Sequence, residues 1–577
     1  MKERIFRGFS AGRYGSWIRS RVGSRSRSAL GYGVTYRGHN IPQRLPARTV
    51  WGAWVCLENS GPKTWQRHHP EGKQVDLIVY CNGQLLATHP MPRPEIAPGD
   101  YVTLHFPFQA PARPGGCKIV LDLVAQNEAR FSDQGVKPLI IKSRIDPPIG
   151  DRSSEIYEQA GRINPWYYQP TRGISRSPDG HTYPLFVSKA KGCYLWDMEG
   201  RQYVDYVMGW GCSLLGYADE RVQKAISDVL HSAAVVPFPY PLEMEVSRML
   251  TEDIPCAEMV LFGKNGSDVC TAGARMARVF SGRRKILTCG YHGWQDFWVE
   301  KEGFARTGVP DRPEVLNHSF RFNDLDDFER LFKEHRDDLA AVMLEPSGPA
   351  EGVQGLAQDA DREFLTAIAE MTRKAGALLI FDEILTGYRY PSGSVQKATG
   401  VIPDLACFGK ALASGMPLSA LVGRAHIFQR AAERIHYGPT FKGELYSFAA
   451  AKVALQIYRD EPVAEHVWDY GTRLKRGVDD LCDEVGIGAR CAGPPFRMAL
   501  SFDEPDPERL NLKRTLYLQE LLKSGIVTYN GIMLPSYAHH DKVLDMTLDV
   551  VGKALETVAT AEKEDDFHRY LEIPLLT

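Results

Sequence analysis

The sequence predicts an α/β domain built on a buried parallel sheet, preceded by an all-β module. Residues 378–381 (LLIF) and 404–408 (DLACF) are short apolar runs of the kind that form buried parallel strands. From residue 34 to about residue 142, short β-rich runs alternate with turn signals, as in an antiparallel sandwich. These two sequence patterns therefore predict two kinds of domain in one chain.

Size and charge indicate a globular protein of more than one domain. The chain has 577 residues, 44% apolar and 24% charged, which is ample for a large core. A formal net charge of −2 argues against broad nucleic-acid binding. No apolar run reaches the length of a transmembrane helix, and no signal-peptide core is visible. We therefore expect a cytoplasmic protein with no membrane span and no nucleic-acid partner.

The N-terminus, residues 1–30, is predicted to be a basic arm. Its first 28 residues carry eight Lys or Arg against one acidic residue, Glu3. This composition suits a disordered or loosely docked tail, a contact with a polyanion or membrane surface, or an organellar transit peptide. We favour the tail.

The eleven cysteines are scattered without CxxC pairs or even spacing. This pattern favours reduced thiols over disulfides or zinc ligands. No metal site is expected.

The all-β module is predicted over residues 31–146, with a Pro-rich, charged linker at 147–165. Asn82-Gly83 between apolar residues is its strongest hairpin signal. Residues 122–135, DLVAQNEARFSDQG, resemble the immunoglobulin-like sandwiches attached to bacterial polysaccharide-biosynthesis proteins. Trp65 and Phe131 could stack on sugars, but core packing is the favoured role.

Asp382 and Lys410 follow the two predicted strands. Ligands of open α/β sheets bind beside the carboxyl ends of strands, so both side chains are placed to face one. A strand-end lysine followed by the small residues 413–417 (ASGMP) suits a Schiff-base residue, because burial lowers its pKa. Taken alone, the two residues could equally be a helix cap and a solvated surface lysine.

The motifs around these residues resemble the class III pyridoxal-phosphate aminotransferases. FDEILTGYR and FGKALASGMP, with 28 positions from Asp382 to Lys410, are most similar to the glutamate-1-semialdehyde aminomutase-like branch. The resemblance implies a homodimeric fold-type I enzyme with a mostly parallel central sheet, and pyridoxal 5'-phosphate (PLP) as cofactor. It also implies that Lys410 forms the Schiff base and that Asp382 pairs with the pyridine nitrogen. A carboxylate there keeps the ring protonated and able to accept electrons.

A glycine turn at residues 262–268 (FGKNGSD) precedes a helical pattern and makes a candidate phosphate cup. Free backbone N–H groups and the helix dipole at such a point favour an anion. The family usually has Asn-Ser-Gly-Thr-Glu here, and this sequence departs from it. The resemblance therefore carries over Gly266 and Ser267, and leaves Asn265 open.

The resemblance assigns four more positions around the cofactor and substrate. Tyr291, in the Tyr-His-Gly element, stacks on the pyridine ring, and Ile384 packs the opposite face. Thr440 lies in a loop that crosses a dimer interface to the neighbour's phosphate. Trp210 lies over the substrate, although a tryptophan beside glycines is also ordinary core.

The substrate is inferred partly from missing charges. Members that act on ω-amino acids carry a second glutamate and a C-terminal arginine, where this sequence has Ala350 and the arginine-free stretch 531–536. Arg497 could still supply a cation for a carboxylate. We expect transfer of an amino group from an amino acid, with glutamate as the favoured donor, to an aldehyde or ketone, with a sugar-like intermediate as the favoured acceptor.

Two alternatives stay open. One is a glutamate-1-semialdehyde-type 2,1-aminomutase, for which Arg176 is the only anchor candidate in the N-terminal part of the enzyme. The other is a non-catalytic carbohydrate-binding scaffold. The enzyme is predicted over 166–577, with a large domain at about 221–429 and a small domain formed by 166–220 and 430–577.

Overall fold

A computed structural model describes residues 32–146, 186–298, 315–348 and 356–572, with breaks at 40, 42–43, 47–49, 68–73, 112–114, 126–128 and 199, and the isolated residues 163, 308–309 and 575. The basic arm, Arg176, Ala350 and nearly all of the linker lie outside the described residues.

The N-terminal module consists of β-sheets that share one core. One sheet has the strand order β1-β3-β8, and the other β2-β11-β9-β5-β6 with β10 beside β9. Apolar side chains from both sheets form a single buried cluster. The strands are β1 Val34–His39, β2 Arg44–Pro46, β3 Val50–Asn59, β4 Trp65–Gln66, β5 Val75–Cys81, β6 Gln84–Pro90, β7 Glu95–Ile96, β8 Tyr101–Gln109, β9 Gly115–Ala125, β10 Ala129–Arg130 and β11 Leu139–Asp146.

Two local predictions for this module are confirmed. β5 and β6 form a hairpin closed by Asn82 (φ 48°) and Gly83 (φ 85°), the left-handed pair that a tight two-residue turn requires. Trp65 and Phe131 are fully buried and meet edge to face in the core. Their role is therefore packing.

The expectation of reduced thiols is wrong for one pair, because Cys81 and Cys117 form a disulfide with their Cα atoms 6.5 Å apart. Cys81 pairs in register with Ile119, so Cys117 is its diagonal neighbour on the same face of the next strand. A separation of 36 residues gives no hint of this register. The other described cysteines are free.

The second part of the chain is organised by a seven-stranded sheet of order β15-β21-β20-β19-β18-β16-β17, in which only β21 is antiparallel to its neighbours. This confirms the predicted mostly parallel sheet. Its strands are β15 Met259–Gly263, β16 Lys285–Cys289, β17 Asn317–Ser319, β18 Leu339–Leu344, β19 Leu378–Asp382, β20 Leu405–Phe408 and β21 Ser419–Gly423.

A smaller sheet joins two distant parts of the chain. It has the order β12-β13-β14-β24, with β12 Val187–Lys191, β13 Tyr194–Asp197, β14 Gln202–Asp205 and β24 Ile526–Val527. β13 and β14 form an antiparallel hairpin, and β22 Ala489–Ala492 pairs separately with β23 Ala499–Phe502. The division into large and small domains at the predicted boundaries stays a prediction.

Within the described residues, eleven α-helices are five residues or longer. They are α1 Glu220–Val229, α2 Pro241–Asp253, α3 Gly266–Ser281, α4 Leu325–His335, α5 Arg362–Lys374, α6 Val395–Thr399, α7 Ala425–Ala432, α8 Leu445–Asp460, α9 Val463–Val485, α10 Pro507–Lys523 and α11 Asp541–Glu564. In the part of the chain that the structure describes, none is both long and apolar enough to cross a bilayer.

Candidate active site

The polar residues of the site gather at the carboxyl edge of the seven-stranded sheet. Asp382 ends β19, Lys410 comes two residues after β20, and Glu345 follows β18 directly. Because β18, β19 and β20 are parallel neighbours, their ends meet at one edge. The strand order therefore brings together groups far apart in sequence, as expected for a ligand site.

Lys410 is held in an unfavourable backbone conformation, with φ 47°. Burial lowers the pKa of its ammonium below the usual value, and the nearby cations Arg497 and Arg389 act in the same direction, while Glu345 opposes them. Lowering the pKa enlarges the fraction of neutral amine, which is the nucleophilic form. Strained residues of this kind persist where the surroundings fix them, commonly at functional sites.

Asp382 is the centre of a buried hydrogen-bonded group. Its Oδ2 lies 2.8 Å from His292 Nδ1 and 3.4 Å from Cys270 Sγ, and its Oδ1 accepts from the Ile384 N–H at 3.1 Å. Burial alone would lower the pKa of His292, but its hydrogen bonds to Asp382 and Cys270 outweigh it and raise the pKa to about 10. The imidazolium therefore faces a carboxylate that is fixed from two sides.

Cys270, His292 and Asp382 each also offer one atom that could bind a metal ion, and these three atoms lie within 4.8 Å of one another. The 2.8 Å separation of Nδ1 and Oδ2 is that of a charge-assisted hydrogen bond between the two groups. We therefore interpret the group as a support for Asp382, and the expected absence of a metal stays a prediction.

The predicted phosphate cup is the N-terminus of α3. Helix α3 begins at Gly266 after an extended Asn265, and the Asp268 carboxylate accepts from the N–H groups of Asn265 (2.9 Å) and Lys264 (3.2 Å). A Cβ on Gly266 would lie 2.5 Å from Ile384 Cδ1. Because residue 266 is a glycine, the first turn of α3 can lie directly against Ile384, the residue that follows Asp382-Glu383.

The Tyr-His-Gly loop packs against the same helix start. A Cβ on Gly293 would lie 2.4 Å from Ser267 Cβ, so the two backbones are in close contact there. Tyr291 donates its N–H to Glu345 Oε1 at 2.9 Å, while the residue as a whole remains 69% exposed. The ring is therefore free to stack on a ligand.

Arg497 lies two residues before β23 and reaches this edge of the sheet, where Glu345 pairs with it. Arg497 Nη1 lies 3.2 Å from Glu345 Oε2, with both side chains mostly buried. The pair is close enough to Lys410 to influence its pKa. Sequence reasoning assigned Arg497 to the site but not Glu345.

Thr440 is exposed, and among the described residues it makes no hydrogen bond or ion pair with the other predicted site residues. Its loop, however, is tied to the cup. Glu444, which caps α8, pairs through Oε2 with Lys264 Nζ at 2.9 Å. Lys264 and Glu444 thus link the loop that carries Thr440 to the residue preceding the cup.

The residues fit PLP, on three observations. A buried carboxylate, fixed by His292, is of the type that pairs with a ring nitrogen; a strand-end lysine has a lowered pKa; and a helix N-terminus offers N–H groups for a phosphate. Gly266 and Gly409 both pack closely against Ile384, since a Cβ at these positions would lie 2.5 Å and 3.4 Å from its side chain.

Sequence reasoning missed His292 and Arg389 as site residues. His292 stands in the Tyr-His-Gly element and Arg389 in the FDEILTGYR block, so each was within a motif. Arg389 is 1% exposed and donates from Nη1 to the Leu385 carbonyl at 2.7 Å and from Nη2 to the Gly211 carbonyl. In the sequence, Arg389 stands in Tyr-Arg-Tyr-Pro (residues 388–391), a composition typical of a solvent-exposed loop, so nothing indicated that it is buried.

Comparison with known proteins agrees with this geometry. The structure resembles FumI of Sphingopyxis sp. MTA144, with a TM-score of 0.66 and 25% identity, over 74% of this chain and all of that one. It also resembles a glutamate-1-semialdehyde aminomutase from Pseudomonas aeruginosa PAO1 in fold (TM-score 0.62, 22% identity, 70% of this chain and 94% of that one). The protein is thus a fold-type I, PLP-dependent enzyme.

The sequence comparisons specify the family. The Aminotransferase class-III model matches residues 175–554, so the chain belongs to the class III aminotransferases. A glutamate-1-semialdehyde 2,1-aminomutase from Syntrophobacter fumaroxidans is 31% identical over 431 residues, 71% of this chain and 98% of that protein. A 3-aminobutyryl-CoA aminotransferase from Cloacimonas acidaminovorans is 29% identical over 411 residues, 70% and 97% of the two chains.

Proposed function

We propose that the enzyme takes the amino group of glutamate and transfers it to an aldehyde or ketone that lacks a second carboxylate, with a sugar-like intermediate as the favoured acceptor. The observation that carries this proposal is the Glu345–Arg497 ion pair beside Lys410. Arg497 can serve a carboxylate of the donor, and Glu345 neutralises the same cation when the acceptor brings none.

When bound at this site, PLP would supply an electron sink for chemistry at the substrate Cα. Lys410 Nζ would remove and return the proton at the substrate Cα as a general base and acid, for which its lowered pKa suits it. Asp382 would hold the proton on the ring nitrogen of the cofactor, and His292, hydrogen-bonded to Asp382, would orient the carboxylate. Gly266 and Ser267 would bind its phosphate, and Tyr291 and Ile384 would pack on the two faces of its ring.

The decisive experiment follows the two half-reactions separately. The purified enzyme incubated with glutamate should release 2-oxoglutarate, and its aminated form should then be discharged by keto- and aldehydo-sugars. If succinic semialdehyde or glutamate-1-semialdehyde accepts the amino group much faster than the sugars, the sugar acceptor is excluded.

That result would support the second candidate, a 2,1-aminomutase. The observation that favours it is the 31% identity with an aminomutase over most of both chains. Arg497 would then anchor the substrate carboxylate in place of the positions that relatives with ω-amino-acid substrates use.

Replacement of Arg497 by methionine tests its role with the donor. We expect the KM for glutamate to rise about 10–100-fold, the loss of a charged hydrogen-bonded pair, with little change for isopropylamine, a donor without a carboxylate. Arg424→Met is the matched control. Arg424 directly follows β21 at the edge of the sheet opposite Lys410, where it pairs with Glu258. Equal loss with both donors would mean that Arg497 serves the fold or Lys410 instead.

The active unit is proposed to be a homodimer in which Thr440 completes the partner's phosphate cup. The segment that contacts the Thr440 loop carries exposed apolar side chains: Phe238 is 79% and Met244 63% exposed, and Leu445 donates its N–H to the Ala234 carbonyl. Large exposed apolar side chains on adjoining segments are typical of a protein interface.

Mixed dimers test this arrangement. A dimer of one Lys410→Ala chain and one Thr440→Val chain should keep one intact site, because the Lys410→Ala chain donates its Thr440 to the site of the Thr440→Val chain, which retains Lys410. The Thr440→Val homodimer should bind PLP about 10–100-fold more weakly. If the mixed dimer is as defective as the Thr440→Val homodimer, Thr440 acts within its own chain. If light scattering finds a monomer that is fully active, the proposal of a dimeric active unit is wrong.

A further inference from the structure

Residues Met208–Gly211 form a left-handed turn, with φ values of 48°, 61°, 54° and 82° in succession. Glycines 209 and 211 adopt this conformation freely, but Met208 and Trp210 do so at a cost, because their Cβ atoms crowd the backbone. Trp210 is 64% exposed, so burial of its ring does not hold the turn. Something else must fix it.

The start of the turn is fixed by Asp205. Its Oδ1 accepts from the Val207 N–H at 2.8 Å and its Oδ2 from the Met208 N–H at 3.0 Å, while the Tyr217 hydroxyl donates to Oδ2. Asp205 is buried and ends β14, which gives the turn a rigid base.

The end of the turn is fixed by Arg389. Its guanidinium bridges the Gly211 carbonyl and the carbonyl of Leu385, which lies three residues after Asp382. Among the described residues it has no carboxylate in ion-pair distance, and its Nε has no partner. A buried cation without a counterion is expensive to keep, so its two backbone contacts call for a functional reason.

We propose that Arg389 is a positioning residue, which locks the left-handed turn and so holds Trp210 at a set distance from Lys410, fixing the size of carbonyl acceptor that the site takes. This rests on the proposed amino transfer. The position of Arg389 suits this role. Its Nη2 lies beside Gly211, the residue after Trp210, and its charge is close enough to Lys410 to influence the pKa of that lysine. The fixed ring forms one wall for the acceptor, and a loosened turn would move that wall.

The test measures a ratio, in order to cancel general effects on the cofactor or on Lys410. For wild type and Arg389→Lys, kcat/KM is measured with propanal and with benzaldehyde as amino acceptors. We expect the ratio to change about tenfold, within the range of size discrimination by an apolar wall. Arg514→Lys, at a buried arginine of α10, is the control and should leave the ratio unchanged.

The double variant decides whether Arg389 acts through Trp210. In a Trp210→Ala background, Arg389→Lys should no longer change the ratio, because the wall is already gone. An undiminished effect in that background, or an unchanged ratio in the single variant, would overturn the proposal.

A second measurement needs no activity and separates this proposal from the proposed function. Glycine relieves the strain at position 210 and alanine does not, so Trp210→Gly should have a higher Tm than Trp210→Ala. This difference should disappear when Arg389→Lys frees the turn. If neither aldehyde accepts the amino group, the proposed amino transfer is wrong. If Arg389→Lys leaves the Tm difference unchanged, Arg389 does not fix the left-handed turn, whatever the activity of the enzyme.

Discussion

Replacement of Lys410 by alanine should reduce amino transfer by about 10³-fold or more, because in the proposed mechanism this residue both attaches PLP covalently and moves the Cα proton. Borohydride should also no longer fix the cofactor to the chain. The strand-end position beside Glu345 and Arg497, and the lowered pKa, are the basis for this expectation. Activity and reducible adduct are the two measurements.

Lys397→Ala is the control for this substitution. Lys397 lies in α6 near the same edge of the sheet, but it is exposed and contacts no predicted site residue among the described ones. It should retain full activity. A Lys410→Ala enzyme that still turns over and still carries a borohydride-reducible cofactor would show that another lysine holds PLP.

The parts of the site that sequence could predict are those that follow directly from a strand end. Asp382 and Lys410 each close an apolar run, and Gly266 opens a helix after another, so their places at the sheet edge come from local patterns. The mostly parallel sheet and the Asn82-Gly83 hairpin are predictable for the same reason.

The missed residues depend on which strands are neighbours. Strand β18 lies between β16 and β19, so no local pattern reveals that His292, beyond β16, reaches Asp382 at the end of β19. The Cys81–Cys117 disulfide likewise depends on the register of β5 against β9. Such contacts are set by tertiary packing, which a single sequence does not encode at short range.

Arg389 shows a different limit. Charged residues are seldom buried without a partner, so a rule based on composition places this arginine on the surface. The structure buries it because two backbone carbonyls, those of Leu385 and Gly211, are the acceptors. The left-handed turn was signalled only by the glycines on either side of Trp210, and this pattern fits several turns.

The second large effect is expected at Asp382. In the proposed mechanism the Asp382 carboxylate holds the proton on the pyridine nitrogen; an amide at this position would not, so the ring would be a weaker electron acceptor. We expect Asp382→Asn to slow the glutamate half-reaction about 10²–10³-fold, the effect of removing one preorganised electrostatic interaction from a reacting centre. Exchange of the Cα hydrogen with solvent deuterium reports the affected step directly.

The neighbours of Asp382 predict a graded series. His292→Gln removes the imidazolium 2.8 Å from Oδ2 but leaves the carboxylate, so the half-reaction should slow only about tenfold, the size of one hydrogen bond to a charged group. Cys270→Ala removes a weak thiol donor that lies 3.4 Å from the same oxygen, and it should stay near the wild-type rate. A rate for Asp382→Asn equal to that of His292→Gln or faster would show that the ring nitrogen is held by another group.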